Sequence, residues 1–72
     1  MLQSSLTGEF FDEKDAVRIL NPKQASFYWA RGIKPWSIYP SKDLRTDEPI
    51  IVFLFSRSKT KELYEEWQNR KR

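Results

Sequence analysis

Three pairs of carboxylates lie close enough along the chain to share a proton: Asp12 with Asp15, Asp43 with Asp47, and Glu62 with Glu66. Two carboxyl groups support acid and base catalysis when their surroundings drive their pKa values apart. Here the first two pairs fall in segments that read as turns, and the third lies on a polar helix face. Ordinary solvated carboxylates are expected at all six positions. Asp43, Asp47 and Glu48 put three oxygen donors in one loop, the ligand type that calcium takes, but Lys42 and Arg45 compete for them. The chain has no histidine and no cysteine. That removes the commonest general base, the commonest zinc ligands, a thiolate nucleophile and a disulfide framework together. Gly8 and Gly32 are the only glycines, too few for a phosphate-cradling loop. The expectation is a non-enzyme with no cofactor and no metal.

Binding is the chemistry that remains, and the aromatic residues carry it. Five Phe, three Tyr and three Trp stand in 72 residues, and rings of this kind dominate protein interfaces. Phe27, Arg31, Trp36 and Tyr39 are the candidate anchors for a protein partner. A second reading is a single-stranded nucleic acid, its bases stacked on open rings and its phosphates followed by cations. Tyr39, Phe53 and Phe55 would then be the stacking rings, with Arg18, Lys34, Lys42, Arg45 and Arg57 nearby. No RNP-type motif supports that reading. The net charge of +3 is modest for a nucleic-acid binder. Residues 31–72 hold ten basic and six acidic side chains, with Arg70, Lys71 and Arg72 the densest basic run. Cations at a helix C-terminus also suit the helix dipole without any ligand.

The elements that would position these residues follow from period and punctuation. Val17 and Ile19 alternate with Arg18, which reads as a short strand over 16–20. Asn21-Pro22 is a helix start, with Asn as N-cap and Pro at the first helical position. Gly32 supplies the stop, so a helix is expected over 22–31. Its buried side would hold Ala25, Tyr28 and Trp29, with Phe27 pointing outward. Residues 33–39 read as an edge strand because of Pro35, and 40–49 as a polar connection. Ile50 to Phe55 is apolar on both faces, as in a central strand. From about Ser58 a helix follows, with Leu63, Tyr64 and Trp67 on one arc. Ser56, Ser58 and Thr60 are alternative caps. Lys61 with Glu65, and Glu66 with Arg70, are spaced for ion pairs four residues apart.

The order strand, helix, strand, strand, helix makes a single α+β domain over residues 10–72, preceded by a flexible lead-in over 1–9. The expected sheet is mixed, of order 1-3-2, with strand 16–20 parallel to 50–56 and both helices on one face. The second face would then show three apolar residues of the central strand and Tyr39. A bare face of that kind normally marks an interface. A partner protein, a second copy of the chain, or Phe10 and Phe11 folding back could each cover it. The longest apolar run, Ile50 to Phe55, is far too short to cross a bilayer. With no basic, apolar leader in Met1 to Gly8, a cytoplasmic protein is expected.

Several stretches together also resemble a family. They are Asn21-Pro22-Lys23-Gln24-Ala25, Phe27-Tyr28, Gly32-Ile33-Lys34-Pro35, Val52-Phe53-Leu54-Phe55 and Thr60-Lys61-Glu62-Leu63-Tyr64-Glu65-Glu66-Trp67. The chain resembles, over residues 16–68, short proteins of Gram-positive bacteria, their phages and mobile elements that form a domain-of-unknown-function family. The resemblance implies a setting in accessory genes, where small proteins often inhibit host or defence machinery. It carries over no catalytic or binding residue.

Overall fold

The computed structural model describes residues 1–70, so Lys71 and Arg72 lie outside the described residues. In chain order it contains β1 (Leu2–Gln3), β2 (Phe10–Phe11), a 3-10 turn (Glu13–Asp15), β3 (Ala16–Ile19), α1 (Pro22–Ala30), β4 (Ser37–Lys42), β5 (Pro49–Ser56) and α2 (Arg57–Arg70). The fold is α+β. No helix of the described residues is long and apolar enough to cross a membrane.

The three-stranded sheet has the order β3-β5-β4, and β5 pairs antiparallel with both neighbours. The expected mixed sheet is therefore corrected: β3 runs against β5, not along it. The strand that α1 returns parallel to β3 is β4, and the β4–β5 hairpin then reverses β5 between them. Applying the crossover rule to 16–20 and 50–56 chose the wrong pair of strands.

Directly opposed residues of antiparallel strands share a sheet face. Val17 opposes Phe55, Ile19 and Ile38 oppose Phe53, and Pro40 opposes Ile51. These side chains form the helix-facing side. Ile19, Ala25, Tyr28 and Phe55 are its buried centre, with Val17, Phe27, Ile33, Phe53 and Leu63 packed against them. Tyr28 stands edge-on to Phe55, ring centroids 5.2 Å apart. Burying such a ring contributes about 1.5–3 kcal/mol.

The helix ends are built as their residues dictate. Asn21 Oδ1 accepts from the Lys23 amide at 2.9 Å. At the other end Gly32 takes φ +93°, the Ile33 amide donates to the Tyr28 carbonyl and the Gly32 amide to that of Trp29. That double closure is the Schellman arrangement. In α2 the cap is Ser56, whose Oγ accepts from the Lys59 amide at 3.2 Å. Asp15, just before the β3 residue that faces Ser56, adds a second cap, accepting from the Ser58 amide and hydroxyl at 3.1 and 2.9 Å.

The strand expected over 33–39 lies later, at Ser37–Lys42, and runs through Pro40. The Schellman closure and Pro35 hold the preceding residues out of the ladder. Pro40 is tolerated because β4 borders β5 alone, leaving one side of the strand with no ladder to donate to. The remaining connection closes tightly: the Asp43 amide donates to the Glu48 carbonyl and the Asp47 amide to that of Asp43.

The face turned away from the helices is not bare. On it Val52 is fully buried and Tyr39, Ile50 and Leu54 are half-buried. Residues 1–9, read as a lead-in, enter the fold here. Leu2–Gln3 pairs with Phe10–Phe11, and the Ser4 hydroxyl donates to the Trp36 carbonyl at 2.6 Å. The Trp36 amide donates to the Leu54 carbonyl at 2.6 Å, although Ser37 is the register partner of Leu54. Two residues thus stand opposite one, as in a bulge. Phe11 stacks on the Trp36 ring, and both are buried. Phe10 is left largely exposed, so one of the two adjacent rings folds back, not both.

Candidate protein-binding surface

The outer side of the helix pair concentrates rings and cations. Phe27 of α1 meets Trp67 of α2, centroids 5.7 Å apart. The Arg31 guanidinium lies 4.8 Å from the Phe27 centroid, and that of Arg70 lies 5.3 Å from Phe27 and 4.8 Å from Trp67. Arg31 is also held by Glu66 at 2.9 Å. The four-apart pair expected between Glu66 and Arg70 is therefore replaced by one between the helices. Arg70 has no carboxylate within ion-pair distance among the described residues. Cations held over aromatic faces are both attracted and oriented by the ring quadrupole. Beside them lies an open hollow of about 460 Å³ lined by Pro22, Lys23, Ser26, Phe27, Ala30, Trp67 and Arg70, with no acidic residue in its wall among the described residues.

A second, apolar surface adjoins it. The helices cover β3 and the C-terminal half of β5, leaving the β4 side of the same face open. Ile38 is 40% exposed, Ile51 49% and Trp29 44%. Phe53 lies between Ile38 and Ile51 on that face, and it lines with Trp29 a hollow of about 440 Å³ that also includes Pro22, Ala25, Ser26 and Ala30. Trp29, Phe53, Ile38 and Ile51 thus make one strip. Pro22, Ser26 and Ala30 line both hollows. The ridge between the apolar strip and the basic hollow is therefore an α1 face of small residues.

The structure scatters the residues singled out from sequence. Phe27 does not point outward: it is half-buried against Trp67. A helix touched only by the sheet would have one buried arc, but α2 lies across α1 and creates a second. Arg31 stays beside Phe27, stacked on it. Trp36 is buried under Phe11 and is no exposed anchor, because the N-terminal hairpin closes over it. Tyr39 lies on the opposite sheet face, across from Val52.

Among the basic residues, Arg18 shares that face with Tyr39. Lys42 and Arg45 sit near Asp47 and Asp43 at the β4–β5 turn, 3.7 and 3.9 Å away. Lys34 lines a hollow with Trp36 and Lys59, and Arg57 lines another with Val17, Tyr28 and Tyr64. These cations occupy separate parts of the surface. Trp29, Ile38 and Ile51 were missed as binding candidates because strand alternation and helical period both class them as core. Their exposure comes from where the two helices, of 9 and 14 residues, lie over the sheet, which no local pattern announces.

The titratable groups that depart from their ordinary values are structural. The Asp15 carboxyl is lowered by hydrogen bonds from Ser58, then Ser56. Glu9 is lowered by Lys59, whose Nζ lies 3.0 Å away, with a smaller contribution from Trp36. Burial raises the Tyr28 phenol, opposed by a hydrogen bond from Gln24. Among the described residues no group of three or more His, Cys, Asp or Glu is arranged to hold a metal ion. Asp43 Oδ1 instead accepts from the Arg45 amide at 2.9 Å, tying its own turn. Comparison of the chain with protein families, with curated proteins and with solved structures finds no match.

Proposed function

We propose that this chain is a non-catalytic binding protein that acts stoichiometrically on a protein partner through the strip Trp29–Phe53–Ile38–Ile51. One observation carries the reading. Large apolar side chains remain exposed together on a sheet face that the chain's own helices cover only in part. A contiguous apolar surface beside a polar rim is the usual mark of an interface. An inhibitory role of the kind implied by the resemblance to phage and mobile-element proteins would need nothing more than such a surface.

The test is a photo-crosslinking residue placed at position 51 in cells that make the protein, with position 62 on the exposed side of α2 as control. An adduct of defined mass at 51 and none at 62 supports the reading, and an adduct of twice the chain mass identifies a second copy as the partner. Absence of any adduct at positions 38 and 51 defeats it.

A further inference from the structure

We infer that the partner engages this surface with an acidic segment, its apolar side chains on the Trp29–Ile51 strip and a carboxylate crossing the α1 ridge to Arg70 and Lys23. The inference rests on the binding role proposed above and specifies its chemistry. Three features of the basic hollow lead to it. Among the described residues its wall holds two cations, a hydroxyl and two rings but no acid; the nearby Glu66 is engaged by Arg31. Arg70 lies over Phe27 and Trp67 and has no carboxylate partner among the described residues. A guanidinium held over two rings has lost part of the freedom that binding would otherwise remove, and its fork matches a carboxylate. Finally, Ser26 and Ala30 are small and exposed, so a segment can pass from one hollow to the other close to the α1 backbone.

Arg31 acts as a positioning residue. Fixed by Glu66 and stacked on the same Phe27 ring, it holds the ring that orients Arg70. The same stacking argues against a nucleic acid. Base-binding platforms offer bare ring faces, whereas here guanidiniums already lie over Phe27 and Trp67.

The probe is a fluorescein-labelled peptide alternating Glu and Leu, titrated into the full chain at low salt. Its Gln-for-Glu counterpart and a twelve-residue thymidine oligonucleotide are run beside it. The expected result is saturable binding of the Glu peptide, with NMR shifts of the Arg70 Nε–H and the Trp67 indole N–H. Binding should weaken at least tenfold with the Gln peptide and with Arg70→Gln. Arg70→Lys keeps the charge but not the fork and should recover only part of the affinity; amide spectra confirm that both variants stay folded. Equal affinity for Glu and Gln peptides, tighter binding of the oligonucleotide, or no movement of the Arg70 and Trp67 signals overturns the inference. A crosslink at position 51 to a partner whose capture is indifferent to Arg70→Gln would overturn it while leaving the proposed function standing. Absence of any crosslink at position 51 in the chain with Arg70 intact removes both.

Discussion

Phe11 lies nearly flat on Trp36, ring centroids 4.2 Å apart and planes 11° from parallel. That contact, with the Ser4 hydroxyl donating to the Trp36 carbonyl, fastens the first eleven residues to the start of β4. On the same face Val52 is fully buried while Tyr39, Ile50 and Leu54 are half-buried, so less apolar surface is open there than a bare sheet would show.

Phe11→Ala should therefore lower stability by about 3–5 kcal/mol, the range for deleting a buried aromatic ring. A domain of this size has only about 4–11 kcal/mol in total. The expected readout is a large fall in the urea midpoint together with loss of protection for the Val52 and Leu54 amides in hydrogen exchange. Phe10→Ala, at a largely exposed position, should change the midpoint little.

The clamp at the start of α2 gives a graded pair of effects. Ser56→Ala removes the N-cap acceptor and should reduce stability by about 1 kcal/mol, with about 2 as the upper end. Asp15 gives the same helix start a pH dependence. Its folded-state pKa lies below the ordinary 3.8 because Ser58 and Ser56 donate to its carboxylate. Its contribution is thus complete above 3.8 and disappears as the pH falls below 3.8 through the lowered value. Glu9 behaves alike below 4.5, through Lys59. Urea midpoints between pH 6 and 2 should fall less steeply for Asp15→Asn than for the unaltered chain, and an unchanged slope would remove Asp15 from the account.

Two turns in this chain are the same turn. Ser4 Oγ accepts from the amides of Leu6 and Thr7, and Asp43 Oδ1 accepts from that of Arg45. Thr7 and Thr46 each take the amide two residues on. The positive-φ position is Gly8 in one and Asp47, at φ 60°, in the other. Nothing stands within 4 Å of a Cβ built on Gly8, so Gly8→Ala meets only the backbone penalty of about 1–2 kcal/mol. Asp47→Gly relieves that penalty but gains chain entropy in the unfolded state, and its ion pair with Lys42 is exposed and worth little. It should be neutral or stabilising by less than about 1 kcal/mol. Thermal melts of the two variants should move in different directions or by clearly different amounts.

What was legible in the sequence was local. Asn21-Pro22, Gly32 and the two-faced apolar run 50–55 announce a helix start, a helix stop and a central strand, because each acts through neighbouring backbone. What was not legible was which faces meet. Phe27 reads as outward on a wheel with one contact direction, and only the lie of α2 across α1 turns it inward. Likewise Ile38 and Ile51 follow the alternation of buried strand residues. Their exposure depends on how far two short helices reach over the sheet, and no residue spacing encodes that. Trp36 reads as an exposed anchor because its partner, Phe11, comes from a segment with almost no pattern of its own.

Phe27→Ala tests the second helix contact. Removal of that ring takes away one ring contact of Trp67 and the face beneath Arg31 and Arg70. A half-buried position sits at the low end of the range for aromatic deletion, about 3 kcal/mol. An outward side chain would change stability by less than about 0.5 kcal/mol. Denaturation midpoints distinguish the two directly, and Trp67 fluorescence should shift to the red as water reaches the indole.

The binding strip should be separable from folding. Ile38 and Ile51 keep 40% and 49% of their surface in water, so little burial is lost when they are altered. Thr keeps the β-branched shape that suits a strand. The double variant Ile38→Thr, Ile51→Thr should therefore melt within about 1 kcal/mol of the unaltered chain, twice the usual bound for one surface site. Its partner should nevertheless be lost, since truncating apolar anchors at an interface centre is costly. Sedimentation measures the outcome for a second copy and crosslinking at position 29 for another protein. A variant that folds normally and still forms the same complex would place the interface elsewhere on the molecule.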